Sequence, residues 1–247
     1  MTLEEFFREN PKAAIAFSGG VDSAYLLYAA MQCGADVRAY YVKTQFQPAF
    51  ELADAQRLAR ELGAPMTVLQ QDALASEAVA QNPADRCYYC KQGIFNGILQ
   101  AAAADGYTLV LDGTNASDDA GDRPGMRALR ELCVRSPLRE CGLTKSEIRA
   151  RSKAAGLFTW QKPAYACLAT RIPTGQPITA ELLSKIERAE DFLFFLGFTD
   201  FRVRILSGCA RLQLPADQMN RAMELRCTIL GELGALFDGI VLDLKAR

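Results

Sequence analysis

AAIAFSGGVDSAYLLYAAMQCG, residues 13–34, changes its hydrophobic period partway along. Ala13 to Phe17 is a short apolar run with the length of a buried strand. Ser18-Gly19-Gly20 interrupts it, and beyond the break Tyr25, Leu26, Ala29 and Ala30 recur at helical spacing, with Gly34 as the helix stop. Strand, tight loop and helix in that order set a glycine-rich turn against a helix N-terminus. Gly19 and Gly20 let the backbone approach an anion closely, the helix start offers unpaired N–H groups and partial positive charge, and Ser18 and Ser23 add hydroxyl donors. Ser18 to Ser23 is therefore a candidate phosphate site, against the alternative of a plain strand–helix turn. It is not a Walker loop, because no Lys-Ser or Lys-Thr pair follows and the glycine spacing differs, and it is not a dinucleotide fingerprint.

The pattern continues outward. Asp36 to Val42 reads as a second strand, Ala49 to Leu62 as a helix stopped by Gly63, and Pro65 to Gln70 as a third strand. Tyr89 to Ala104 reads as a helix and Tyr107 to Leu111 as a buried strand. Strands alternating with helices predict an α/β fold, a parallel sheet with helices on both faces, and ligands at the carboxyl ends of its strands. From Leu143 the texture changes. Thr144 and Glu147 form a capping box ahead of a helix, Lys162 to Gly175 is polar and turn-rich, and Thr179 to Leu196 is a long amphipathic helix. Two strands around Ser207-Gly208, a helix over Gln218 to Leu233 and the strand GIVLDL complete a small C-terminal α+β domain. The expected division is 1–170 and 171–247.

The 247 residues are enough for one or two domains. A formal net charge of -1 provides no global basic field for nucleic acid. The start MTLEEFFRENPK lacks the basic-then-apolar order of a secretory signal, and no apolar run reaches the roughly 18 residues of a membrane span, so the reading is cytoplasmic with no membrane partner. The chain has no histidine, which removes Ser-His-Asp and Cys-His catalysis and imidazole ligands. Acid–base work falls to Asp, Glu, Lys or Tyr. Eight cysteines, at 33, 87, 90, 133, 141, 167, 209 and 227, read in a reducing compartment mainly as core thiols.

SGGVDS resembles the pyrophosphate loop of the ATP pyrophosphatase superfamily. That likeness implies an adenine nucleotide alpha hydrolase-like fold, ATP cleaved to AMP and pyrophosphate, and Mg²⁺ organised with the help of Asp22. Further motifs follow in order: Asn82 to Lys91 (NPADRCYYCK), Leu111 to Asn115 (LDGTN), Asp122 to Gly125 (DRPG), Ser136-Pro137-Leu138, Gly142 to Lys145 (GLTK), Lys162-Pro163, Cys167 to Arg171 (CLATR) and Gly175. The set, covering nearly the whole chain, is similar to the LarE-type ATP-dependent sulfur transferases of nickel-pincer cofactor synthesis. The resemblance implies adenylation of a carboxylate of pyridinium-3,5-biscarboxylic acid mononucleotide, followed by displacement of AMP by a protein-delivered sulfur. It assigns the nucleotide to Ser18, Gly19, Gly20, Val21, Asp22, Ser23, Gly113 and Thr114, with Asp22 and Cys167 as catalytic. It also implies a homo-oligomer and sulfide or another sulfur donor as a partner.

Cys167 matches the cysteine that one branch of the family sacrifices to dehydroalanine. In another branch three cysteines hold a 4Fe-4S cluster, and Cys87 with Cys90, a Cys-X-X-Cys, would be two of them and Cys167 the third. Zinc or redox use of the pair has the same appearance. For the substrate phosphate the candidates are Arg171, Arg202, Arg204 and Arg211, with Arg202 and Arg204 two apart on one strand face and a solvated face as their plain alternative. Two rival functions stand beside this one: a tRNA thiolase of the same superfamily, and a non-catalytic AMP-binding module.

Overall fold

The computed structural model describes residues 1–118 and 124–247. Among these the elements run α1 (Leu3–Glu9), β1 (Lys12–Ala16), α2 (Val21–Gln32), β2 (Asp36–Lys43), α3 (Ala49–Leu62), β3 (Met66–Gln70), α4 (Glu77–Ala80), α5 (Arg86–Ala104) and β4 (Val110–Leu111). There follow α6 (Pro124–Glu131), α7 (Pro137–Glu140), α8 (Lys145–Ala154), α9 (Ala180–Phe195), β5 (Arg202–Leu206), β6 (Cys209–Gln213), α10 (Met219–Glu224), α11 (Arg226–Leu233) and β7 (Ile240–Leu242). The chain divides into two compact units, Met1–Ala73 with Asp85–Tyr165, and Leu74–Ala84 with Ala166–Arg247.

In the first unit the sheet order is β3-β2-β1-β4, and every pairing is parallel. Its strands alternate between two apolar layers. Ala13, Ile15, Val37, Ala39 and Tyr41 face α2 and its neighbours, while Ala14, Tyr40, Val42 and Val110 face Phe95, Ile98 and Leu129 of α5 and α6. Both faces are buried, which is why β1 reads as an unbroken apolar run. The chain moves from β1 outward to β2 and β3, then returns to the other side of β1 for β4. The order of strand connection therefore reverses between β1 and β4, where the strand ends open a crevice.

The predicted strand Tyr107 to Leu111 shortens to Val110–Leu111. Tyr107 N donates instead to Ala102 O at 2.8 Å, closing the end of α5 over Gly106 (φ +79°), so Tyr107 has no amide left for the ladder. Beyond β4 the backbone of Arg135 exchanges hydrogen bonds with Val110 and Asp112 and covers the outer edge.

In the second unit α9 buries Leu183, Ile186, Ala189 and Leu193, a helical stripe. β5 and β6 pair antiparallel around Ser207 (φ +48°) and Gly208 (φ +81°), a two-residue turn with both residues left-handed. β7 joins β6 in parallel. The helix predicted over 218–233 opens at Leu225 (ψ 10°) into α10 and α11. Arg221 of α10 is fixed by a bond to Leu196 O and by stacking on Phe198.

The segment Leu74–Ala84 belongs to the second unit through its backbone. Gly175 N donates to Asn82 O (2.8 Å) and Ile178 N to Ala80 O (2.7 Å), and the buried Asn82 amide donates to Pro173 O and Gln176 O. No helix among the described residues is long and apolar enough to cross a membrane.

The capping box at the start of α8 forms as expected, with Thr144 Oγ1 accepting from Glu147 N and the Glu147 carboxylate accepting from Thr144 N. Thr144→Ala is expected to lose about 1 kcal/mol, which lowers Tm by roughly 2–4 °C in a domain of this size. Calorimetry on the variant checks it; an unchanged Tm would mean that water satisfies the helix end equally well.

Candidate functional site

Between the ends of β1 and β4 lies a cleft of about 360 Å³, within the range of small-molecule sites. One wall is the turn into α2, with Ser18, Gly20, Asp22 and Ser23, and the opposite lip is Asp112, Gly113 and Thr114. Val42, Ile94, Phe95 and Ile98 make an apolar side that suits a flat base. The turn is tied by its serines. The two hydroxyls meet at 3.0 Å, Ser18 N donates to Ser23 Oγ (3.2 Å), and Gly20 N to Ser18 Oγ (3.3 Å).

Two glycines allow the walls to close. Gly19 sits at φ +71°, and a Cβ there would stand 2.9 Å from Ala55 Cβ. A Cβ on Gly113 would stand 2.9 Å from Ser23 N, at the first turn of α2. Val21 opens α2 and points into the core. The lip is rigid because the buried Asp112 carboxylate accepts from Thr114 Oγ1 (2.5 Å) and from Ser136 Oγ (2.6 Å).

Asp22 carries the charge of the loop. Its Oδ2 pairs with Lys145 Nζ from the first turn of α8. Its Oδ1 is buried and has no hydrogen-bond partner, the state of a carboxylate oxygen that a divalent cation would satisfy. The donor set thus fits Mg²⁺ at Asp22. Farther along the cleft stands Glu51, whose carboxyl is pushed up by burial and held back by Lys162 at 3.1 Å. Lys162 also pairs with Asp54 (2.9 Å). The buried Tyr41 hydroxyl is raised well above the ordinary tyrosine range, first by burial and then by Glu51.

Cys87 and Cys90 lie in the first turns of α5, three residues apart and so on one helical side. Cys87 is exposed and Cys90 half-buried, and the Arg86 guanidinium is 3.8 Å from Cys87 Sγ. No cysteine forms a disulfide. Among the described residues no group of three His, Cys, Asp or Glu is positioned to hold a metal ion. Asp122 and Arg123 of the DRPG motif lie outside the described residues.

The second unit holds Cys167 and the four arginines. Cys167 is half-buried and precedes the short turn Leu168–Arg171. Arg171 is fully buried in a two-pronged pair with Glu190, Nε to Oε1 at 2.7 Å and Nη2 to Oε2 at 3.1 Å, while Nη1 donates to Ala166 O. The expectation of Arg171 as a direct substrate contact meets a guanidinium committed to the interior. Arg202 and Arg204 alternate with the buried Val203 and Ile205, so they share a strand face as their spacing predicts. Arg202 is lowered to about 10 by burial and then by neighbouring Arg171 and Arg247. Arg204 is lowered by burial and by Arg171, Arg211 and Arg247, and donates to Thr170 O and Gln213 Oε1, both at 2.7 Å. Arg211 lies 3.7 Å from Asp243. Arg202 is buried, its Nη1 donating to Phe201 O at 2.6 Å with Asp200 3.8 Å away, so the expectation of a substrate-facing Arg202 meets a guanidinium turned inward, and only Arg204 and Arg211 are part-exposed.

Sequence reasoning missed Tyr41, Glu51, Lys91 and Asp118, all lining the cleft. Lys91 was quoted within NPADRCYYCK without a role, and only the packing of α5 on the sheet brings it to the strand ends.

The family model for asparagine synthase matches residues 5–120. The chain is 32% identical over 246 residues to the pyridinium-3,5-bisthiocarboxylic acid mononucleotide synthase of Lactiplantibacillus plantarum, covering 98% of this chain and 89% of that protein. It is 37% identical over 249 residues to the uncharacterized protein slr1717 of Synechocystis, covering 98% and 92%. A tRNA-specific 2-thiouridylase of Fervidobacterium nodosum is 28% identical over 126 residues, 41% of this chain and 36% of its own.

Replacing Glu190 by Gln leaves Arg171 charged and buried, and is expected to destabilise the fold by about 3–5 kcal/mol. Denaturant unfolding measures it; a loss below about 1 kcal/mol would show that the pair behaves as a solvated one.

Proposed function

The chain belongs to the family of the pyridinium-3,5-bisthiocarboxylic acid mononucleotide synthase, and from that membership we propose that it converts a carboxylate of pyridinium-3,5-biscarboxylic acid mononucleotide to a thiocarboxylate at the expense of ATP. The observation that carries this reading is the serine-tied loop at the sheet's reversal point, with the unpartnered Asp22 oxygen beside it. Ser18, Gly19, Gly20, Val21, Asp22 and Ser23 receive the pyrophosphate portion of ATP, and Gly113 and Thr114 close over the nucleotide. The substrate carboxylate attacks the α-phosphorus, pyrophosphate leaves, and the acyl–AMP anhydride now has a good leaving group. Sulfur then displaces AMP. Mg²⁺ held at Asp22 neutralises the phosphate charge when bound.

The first unit serves the nucleotide and the second the substrate. Arg204 and Arg211 grip the substrate's phosphate, and the buried Arg202 and Arg171, the latter through Glu190 and the Thr170 turn, position them. Cys87, Cys90 and Cys167 would be the ligands of a 4Fe-4S cluster that would supply the sulfur, a reading supported by the two thiols of the Cys-X-X-Cys on one helical side. Such a cluster supplies a transferable sulfide. Exposed Phe195, Leu230 and Leu244 support a homo-oligomer, and we place the enzyme in the cytosol. The tRNA thiolase reading has in its favour a match to less than half the chain, and a net charge of -1 weighs against it. Salt-sensitive tRNA binding would revive it.

Gly113→Ala is expected to lift the lip from α2 and slow ATP-dependent pyrophosphate release on the order of a hundredfold, the scale of a misplacement near 1 Å. An unaltered rate would remove that lip from the nucleotide site. For the sulfur source, wild type reconstituted without oxygen is expected to hold about four irons with matching acid-labile sulfide. The double variant Cys87→Ser/Cys90→Ser should hold neither. No iron in the wild type would refute the cluster and leave Cys167 as a sacrificial donor, visible as loss of hydrogen sulfide mass after one turnover.

A further inference from the structure

One side of α3 carries a strap. Phe50, Asp54 and Arg57 follow one another at helical spacing, and Glu51 shares the side of Asp54. Each meets a residue from the segment that follows α8. The Arg57 guanidinium covers the Phe158 ring at 4.1 Å, and Tyr165 stands edge-on to Phe50 with centroids 5.1 Å apart. Between them Lys162 Nζ lies 3.1 Å from the Glu51 carboxylate and 2.9 Å from that of Asp54. Phe158 to Tyr165 therefore runs antiparallel to α3 and ends at the helix's first turn, beside Gln47 and Glu51 of the cleft wall. From the other side Arg149 of α8 donates to Trp160 O and Lys162 O. Residues 162–165 belong to no helix or strand, so side chains hold them in place. Tyr165 is the last residue of the first unit, and Cys167 follows two positions later.

Among these contacts the ammonium matters most. Glu51 and Asp54 are three residues apart on one helix, and Lys162, with its side chain only 12% exposed, stands between two carboxylates that would otherwise repel. We propose that Lys162 is a positioning residue for sulfur transfer: by pinning the strap to α3 it fixes where the chain leaves the nucleotide unit on its way to Cys167. This role rests on the proposed reaction, with Cys167 taking part in sulfur delivery. The acyl–AMP anhydride is open to two nucleophiles, the delivered sulfur and water. With the strap loose, water attacks the acyl carbon in place of sulfur, AMP leaves, and the original carboxylate is restored. ATP is then spent without a thiocarboxylate.

The test measures thiocarboxylate formed per pyrophosphate released in wild type, Lys162→Met, Lys162→Arg and Tyr165→Ala, together with hydrogen exchange over residues 158–167. In Lys162→Met the ratio is expected to fall on the order of ten- to a hundredfold, the scale of a misplaced reactant, and Lys162→Arg should recover most of it. Tyr165→Ala, which keeps both ion pairs, should lower the ratio in the same direction and keeps the test open if Lys162→Met does not fold. An unchanged ratio, with any loss shared by both products, would overturn the role, because a residue that only stabilises the fold lowers both together. Exchange over the strap should quicken in Lys162→Met with no substrate present, and unaltered exchange would overturn the strap itself. No thiocarboxylate from the wild type, with exchange still quickened in the variant, would overturn the proposed reaction and with it the role, while leaving the strap as a structural contact.

Discussion

The first unit depends on one close approach, the passage of Gly113 against the start of α2, where there is no room for a side chain. That contact joins the ends of β1 and β4 and makes a binding cleft out of what would otherwise be two separate turns. Other features follow from it. Asp112 must be buried, so Thr114 and Ser136 satisfy its oxygens. The segment after it must be held, so Ser117 and Ala116 bond to the start of α8. Anchoring α8 in turn brings Lys145 to Asp22.

Charge is handled differently in the two units. In the first, acids and bases meet in pairs around the cleft, Asp22 with Lys145 and Glu51 with Lys162, leaving one carboxylate oxygen of Asp22 unsatisfied. In the second, Arg171 is neutralised by Glu190 in the interior, Arg202 stands near Asp200 and Arg211 near Asp243, and Arg204 donates to Thr170 O and Gln213 Oε1. The first arrangement suits an anion that brings its own cation. The same division appears in the proposed reaction, with metal-bound ATP on one side and a mononucleotide on the other.

Much of this was legible in the chain itself. Helix α3 begins at Ala49 and ends before Gly63 as its spacing predicts, and Gly63 adopts the left-handed conformation that glycine permits. The Thr144 capping box and the Ser207-Gly208 hairpin form where they were expected. These features are set by neighbours within about four residues, so a linear reading contains all the required information. Tyr107 to Leu111 was misread in length because an apolar run does not reveal that Tyr107 N is already used by the end of α5. The helix over 218–233 was misread as continuous because no proline or glycine marks the opening at Leu225.

The sequence by itself determined the phosphate loop, the parallel alternation of strands and helices, the absence of imidazole chemistry and the family to which the motifs point. Tertiary structure alone decided which charges meet. Lys145 and Asp22 are 123 residues apart, Arg171 and Glu190 are 19 apart on different elements, and the segment Leu74–Ala84 joins the unit of Ala166–Arg247 through backbone bonds and the buried Asn82 amide. The physical reason is one of range. Backbone propensity acts over a turn or two of chain, whereas an ion pair forms only after packed layers have brought distant segments within reach.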